Sequence, residues 1–109
     1  MELNDYQAST SETAIYPNKT PLEGVTYCTM GLVGEAGELA NKVKKVLRGD
    51  KLLADQRELI LFELGDVMWY VAQLAVCLDC PLELVGWTNI EKLRLRQEHD
   101  KLKGEGDNR

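Results

Sequence analysis

Between Ala54 and Leu78 the chain is apolar on nearly every side of a helix. Ile60, Leu64, Val67, Val71, Leu74 and Leu78 recur at steps of three and four, while Phe62, Trp69, Ala72 and Val76 fall opposite them. A helix that is apolar all round is normally buried all round. The 109 residues of the chain form one domain, residues 1–109, and a core of that size covers only part of the unfolded surface. The segment therefore predicts an all-α, four-helix, bundle-forming domain completed by oligomerisation, as a homodimer or homotetramer.

The rest of the punctuation agrees. A first helix is expected over about Leu3–Ile15, capped by Asn4 and ending before the turn Tyr16-Pro17-Asn18-Lys19. The second begins at Thr20-Pro21, threonine as cap and proline in the first turn, and stops at Arg48-Gly49-Asp50. Its apolar residues Val25, Cys28, Leu32, Ala36, Leu39, Val43 and Val46 trace one helical stripe. The short connection around Gly49–Leu53 sets helices two and three antiparallel, as short helix connections do. A fourth helix follows Asp79-Cys80-Pro81 and extends towards Lys101, leaving a flexible polar tail at about 102–109.

The net charge of −5 argues against binding a nucleic-acid polymer, which relies on clustered Lys and Arg. No stretch reaches the roughly 18 uninterrupted apolar residues of a membrane span, so no membrane partner and a cytoplasmic location are expected. Cys28, Cys77 and Cys80 are odd in number without zinc-type spacing. They read as reduced, structural thiols.

Two acidic pairs interrupt this pattern: Glu35 and Glu38 on the second helix, Glu63 and Asp66 on the third. Residues three apart share a helix face, and each pair falls on the same side of its apolar stripe. At about 1.5 Å rise per residue, Glu38 lies roughly 16 Å before Gly49 and Glu63 roughly 14 Å after Ala54. In an antiparallel hairpin the pairs are level and open onto one surface. Acids at this spacing are common on solvated faces, but two facing, level pairs beside an apolar seam repel one another unless a cation neutralises them. All-oxygen ligands suit a hard ion, Mg2+ or alternatively Mn2+, whereas zinc and di-iron sites usually recruit Cys or His. The single histidine, His99, stands far along helix four.

The segment Gly31-Leu32-Val33-Gly34-Glu35-Ala36-Gly37-Glu38-Leu39-Ala40, with Glu63-Leu64-Gly65-Asp66-Val67-Met68-Trp69-Tyr70 further on, resembles the signature of MazG-like nucleoside triphosphate pyrophosphohydrolases of the all-α NTP pyrophosphatase superfamily. The end of the chain, from Asn89 through Lys92-Leu93 and Arg96 to Gly106-Asp107-Asn108-Arg109, is also similar to that family. The family's fuller motif opens with two adjacent glutamates, and Gly34 stands in the first of those places.

The resemblance implies hydrolysis of nucleoside triphosphates, deoxynucleotides included, to monophosphate and pyrophosphate. It implies Glu35, Glu38, Glu63 and Asp66 as magnesium ligands, with Glu35 or Glu38 orienting or deprotonating water. Lys42 and Lys45 follow Glu38 on nearly the same side, as phosphate ligands or as solvated helix-end charges. Lys92 and Arg96 match family positions for holding phosphate, and Trp69, Tyr70 and Asn89 for the base and sugar. Two other readings stay open: a phosphoribosyl-ATP pyrophosphohydrolase-like enzyme, and a non-enzymatic helical oligomerisation module motivated by the apolar third helix.

Overall fold

Thr20 has an extended backbone, and its hydroxyl accepts the Glu23 N–H at 3.1 Å, while Pro21 fills the first helical position where no N–H is needed. In this computed structural model, which describes residues 1–99, that cap opens helix α2, Pro21–Leu47. The helix closes on Gly49, whose φ of 91° is one that L side chains rarely adopt. The Gly49 N–H donates to the Val46 carbonyl and the Asp50 N–H to the Lys45 carbonyl, which satisfies the last turn in a Schellman motif.

Helix α3, Leu53–Cys77, ends in the same way, with Asp79 taking the left-handed position at φ 53°. The N–H groups of Asp79 and Cys80 reach back to the carbonyls of Val76 and Ala75. Pro81 then starts α4, Leu82–Glu98. These bounds lie within a residue of expectation for α2 and α3. The expected reach of α4 to Lys101 and the expected tail at 102–109 lie outside the described residues.

The first helix departs most from its expected form. Helix α1 spans only Leu3–Thr10 and passes into a 3-10 turn at Ser11–Thr13. The hydroxyls of Thr10 and Thr13 donate back to the carbonyls of Gln7 and Thr10, at 2.6 and 3.1 Å, as threonines do where they compete with the helical ladder. Nor does Asn4 cap α1. It lies inside that helix, where its amide serves α4, accepting the Glu83 N–H at 3.0 Å and donating to the Glu83 carboxylate at 3.3 Å. Gln7 brackets Pro81, donating to the Cys80 carbonyl and accepting from the Leu82 N–H, both at 2.9 Å. Helix α1 thus supplies partners for the start of α4.

Helices α2 and α3 form the central antiparallel hairpin, and the described residues contain no strand. Gly24 lies beside Cys77 and Gly31 beside Tyr70, so seven residues up one helix match seven down the other. Close contact is built into this seam, because a Cβ on Gly31 would stand 2.3 Å from the Tyr70 ring.

Among the described residues the buried apolar set is small: Tyr16, Cys28, Ala72, Ala75 and Leu82. Large apolar side chains remain exposed, including Phe62 at 63%, Trp87 at 62% and Ile90 at 57%. Leu64 and Leu78, placed on the packed stripe of the third helix by periodicity, are exposed too. By length and composition α3 is also a helix that could cross a membrane. Glu63 and Asp66 interrupt it.

Gln73 is the largest fully buried side chain, and its amide is completely used. It accepts from the Tyr16 hydroxyl at 2.7 Å and donates to the hydroxyls of Thr10 at 2.8 Å and Ser11 at 3.1 Å. Cys77 Sγ lies 3.1 Å from the Tyr16 oxygen. Burial pushes the Tyr16 phenol and the Cys28 thiol up from their ordinary values, and the three cysteines are unpaired with one another. Removing a buried amide strands its partners. Gln73→Leu is therefore expected to destabilise the fold by about 2–3 kcal/mol, read as a lowered urea midpoint with unchanged slope.

Candidate functional site

Helix α3 carries Asp66, Trp69, Tyr70 and Gln73 at intervals of three and four, which gathers an acid, two rings and the buried amide on one face. Helix α2 brings Glu35 against the acid end of that face. One carboxylate oxygen each from Glu35, Glu63 and Asp66 lies within 4.8 Å of the others. In the hairpin register Glu38 is level with Glu63, yet its side chain is exposed and stands outside this triad. Lys42, one turn beyond Glu38, instead takes the Glu63 carboxylate at 3.0 Å, with both side chains largely withdrawn from solvent.

The charges divide accordingly. Burial raises the Glu35 pKa above the ordinary glutamate value of 4.5, reinforced by a hydrogen bond to Glu63 and by the negative charges of Asp66, Glu63 and Glu38. Glu63 goes the other way, lowered first by the Lys42 ammonium and then by the hydrogen bond from Glu35. Lys42 is raised in turn, chiefly by Glu63. The surroundings therefore favour the protonated form of Glu35 and the ionised form of Glu63. Three converging carboxylates with no sulfur or imidazole suit a hard divalent cation, which would take the place of the lysine.

Beside the triad opens a cavity of about 320 Å³ lined by Thr13, Glu35, Asp66, Trp69 and Tyr70. Trp69 and Tyr70 meet edge to face with centroids 5.0 Å apart, and Tyr16 meets Trp69 in the same manner at 6.1 Å. Tyr16 in turn stacks on Tyr27 at 5.2 Å. The Trp69 indole N–H donates to the Thr13 hydroxyl at 2.9 Å.

Of the residues singled out in the sequence, Glu35, Glu63, Asp66, Lys42, Trp69 and Tyr70 come together here, with Glu38 on the outer side. Lys45 is exposed on α2. Asn89 and Lys92 line a different cavity on α4, of about 430 Å³, with Cys80, Leu84, Val85 and Thr88. Arg96 is buried on α4 and does not line the acidic cavity. Sequence reasoning missed Thr13, Tyr16 and Gln73. The first two belonged to a presumed helix and a turn, and no local pattern marks a glutamine as a buried hub.

The site is thus set in an all-helical hairpin that converges acids from both arms beside an aromatic cavity. Residues 24–100 match the MazG nucleotide pyrophosphohydrolase domain, and the chain belongs to that family. It is also 51% identical over 115 residues to the "Gene 37 protein" of Mycobacterium phage L5, a match that covers all of both chains. No solved structure matches it.

The charge division has a measurable sign. Because the folded Glu35 pKa is raised, its contribution to stability is complete below the ordinary value of 4.5 and is lost as pH rises through the folded value. Glu63, lowered, contributes above 4.5 and loses its contribution as pH falls through its folded value. In chelator-containing buffer, stability is expected to decline as pH rises from about 4.5 towards neutrality. Glu35→Gln should flatten that decline in urea titrations across pH.

Proposed function

We propose that the chain is a Mg2+-dependent nucleoside triphosphate pyrophosphohydrolase, with Mn2+ as an alternative ion. The carrying observation is the convergence of Glu35, Glu63 and Asp66 beside the cavity walled by Trp69 and Tyr70. Glu35, Glu63 and Asp66 would hold the ion, with Glu38 as a fourth acid from the outer side. Bound there, magnesium would offset the charge of the triphosphate and lower the pKa of a bound water.

In this reading Glu35, whose pKa is already raised, accepts the proton of the attacking water, and Glu38 helps to orient it. The new bond forms at the α-phosphorus. The bond from that phosphorus to its bridging oxygen breaks, giving nucleoside monophosphate and pyrophosphate. Lys42, released from Glu63, pairs with phosphate oxygens, and Lys45 extends that basic edge. Trp69 and Tyr70 pack against the base, for which deoxynucleotides are included as substrates.

Asn89 and Lys92 lie exposed and off this cavity within one chain, so in our reading they meet substrate across a subunit boundary, with the buried Arg96 further along α4. A homodimer or homotetramer is supported by the exposed apolar side chains of α3 and α4, including Phe62, Leu64, Trp87 and Ile90. A cytoplasmic enzyme acting on free nucleotides fits the same reading.

Incubation with a panel of ribo- and deoxyribonucleoside triphosphates, with phosphoribosyl-ATP beside them, is expected to release pyrophosphate only with Mg2+ or Mn2+. Water labelled with heavy oxygen should mark the monophosphate. Glu63→Gln and Asp66→Asn should each lower kcat/KM by about a hundredfold or more. Inactivity across the panel would overturn the proposal, and preference for phosphoribosyl-ATP would redirect it. Light scattering should give a mass of at least two chains.

A further inference from the structure

We propose that Thr13, outside both the acidic triad and the segment matching the family, is a positioning residue that fixes the Trp69 ring for a planar base. This inference rests on the pyrophosphohydrolase reading and specifies how its cavity takes the nucleobase end of the substrate.

The Thr13 hydroxyl is used in both directions. It donates to the Thr10 carbonyl at 3.1 Å, which aims its lone pairs away from the turn, and accepts the Trp69 indole N–H at 2.9 Å. The anchor itself is held. Thr10, before it, receives the Gln73 amide at 2.8 Å, and Tyr16, after it, donates to the same amide at 2.7 Å. Gln73 is 1% exposed and lies one turn beyond Trp69 on α3. The 3-10 turn is therefore fastened on both sides of Thr13 to the helix face that bears Asp66 and Trp69.

Trp69 needs such a partner. It is only half-buried, and its two aromatic neighbours, Tyr16 and Tyr70, both meet it edge to face at 82°. Such contacts constrain the ring plane but leave the indole N–H without an acceptor. Thr13, which lines the same cavity, supplies that acceptor. Losing it releases the ring from one pose, while the Thr13 hydroxyl makes its hydrogen bonds to the Thr10 carbonyl and the indole and not to the carboxylates. The consequence falls on binding of the base and not on the bond-breaking step.

Thr13→Val keeps the shape and removes the hydroxyl. One hydrogen bond of ordinary strength corresponds to about a fivefold rise in KM for the preferred nucleotide, with kcat within about twofold of wild type. Thr13→Ser should restore the wild-type KM. Inorganic tripolyphosphate, which lacks a base, should inhibit the Thr13→Val and wild-type proteins equally. In a Trp69→Phe background, which has no indole donor, Thr13→Val should add nothing further.

An unchanged KM in Thr13→Val would overturn the inference, as would a parallel loss of tripolyphosphate inhibition or the same rise in KM in the Trp69→Phe background. Wild-type protein inactive on every nucleotide overturns this inference together with the function it rests on. Active wild-type protein with an indifferent Thr13→Val overturns this inference alone.

Discussion

The acidic cavity depends on the contact between α2 and α3 at Gly31 and Tyr70. A side chain at Gly31 would run into the Tyr70 ring, so the tyrosine fits against the seam only because α2 offers bare backbone there. One turn further along each helix, the same proximity forces Glu35 against Glu63 and Asp66. Like charges so placed oppose the contact that gathers them. The chain offsets this with a hydrogen bond between Glu35 and Glu63 and with the Lys42 ammonium on Glu63. The repulsion and its relief are two sides of the same packing.

The seam also explains where the fold invests its polar groups. Few large apolar side chains are buried among the described residues, and a polar network joins buried Gln73 to Thr10, Ser11 and Tyr16. Such a network holds only while every member is satisfied. It ties the N-terminal turn to α3 at the cavity, whereas the larger apolar faces of α3 and α4 point outward. Local order at the site thus draws on hydrogen bonds that tie the turn to α3.

Features governed by neighbours in the chain were legible in the sequence. The Thr20-Pro21 start and the Gly49 stop fix α2, and period and height counting bring acids from two helices to one surface. Features governed by distant partners were not. Asn4 has the chemistry of a cap, but the N–H it caps belongs to Glu83, 79 positions away. Glu38 has the right level, but Lys42 reaches its opposite number first. Asn89 and Lys92 have suitable chemistry, yet in one chain they border another cavity.

The family match begins at residue 24, while Thr13 and the turn that carries it lie earlier. The cavity is thus assembled from two stretches of chain with different obligations. Within α2 and α3, a change at one acid or at Gly31 disturbs several partners together. The turn lines the cavity through Thr13 and is anchored at Thr10, Ser11 and Tyr16. One wall of the cavity can therefore change through a few positions near the N-terminus while the acids stay as they are.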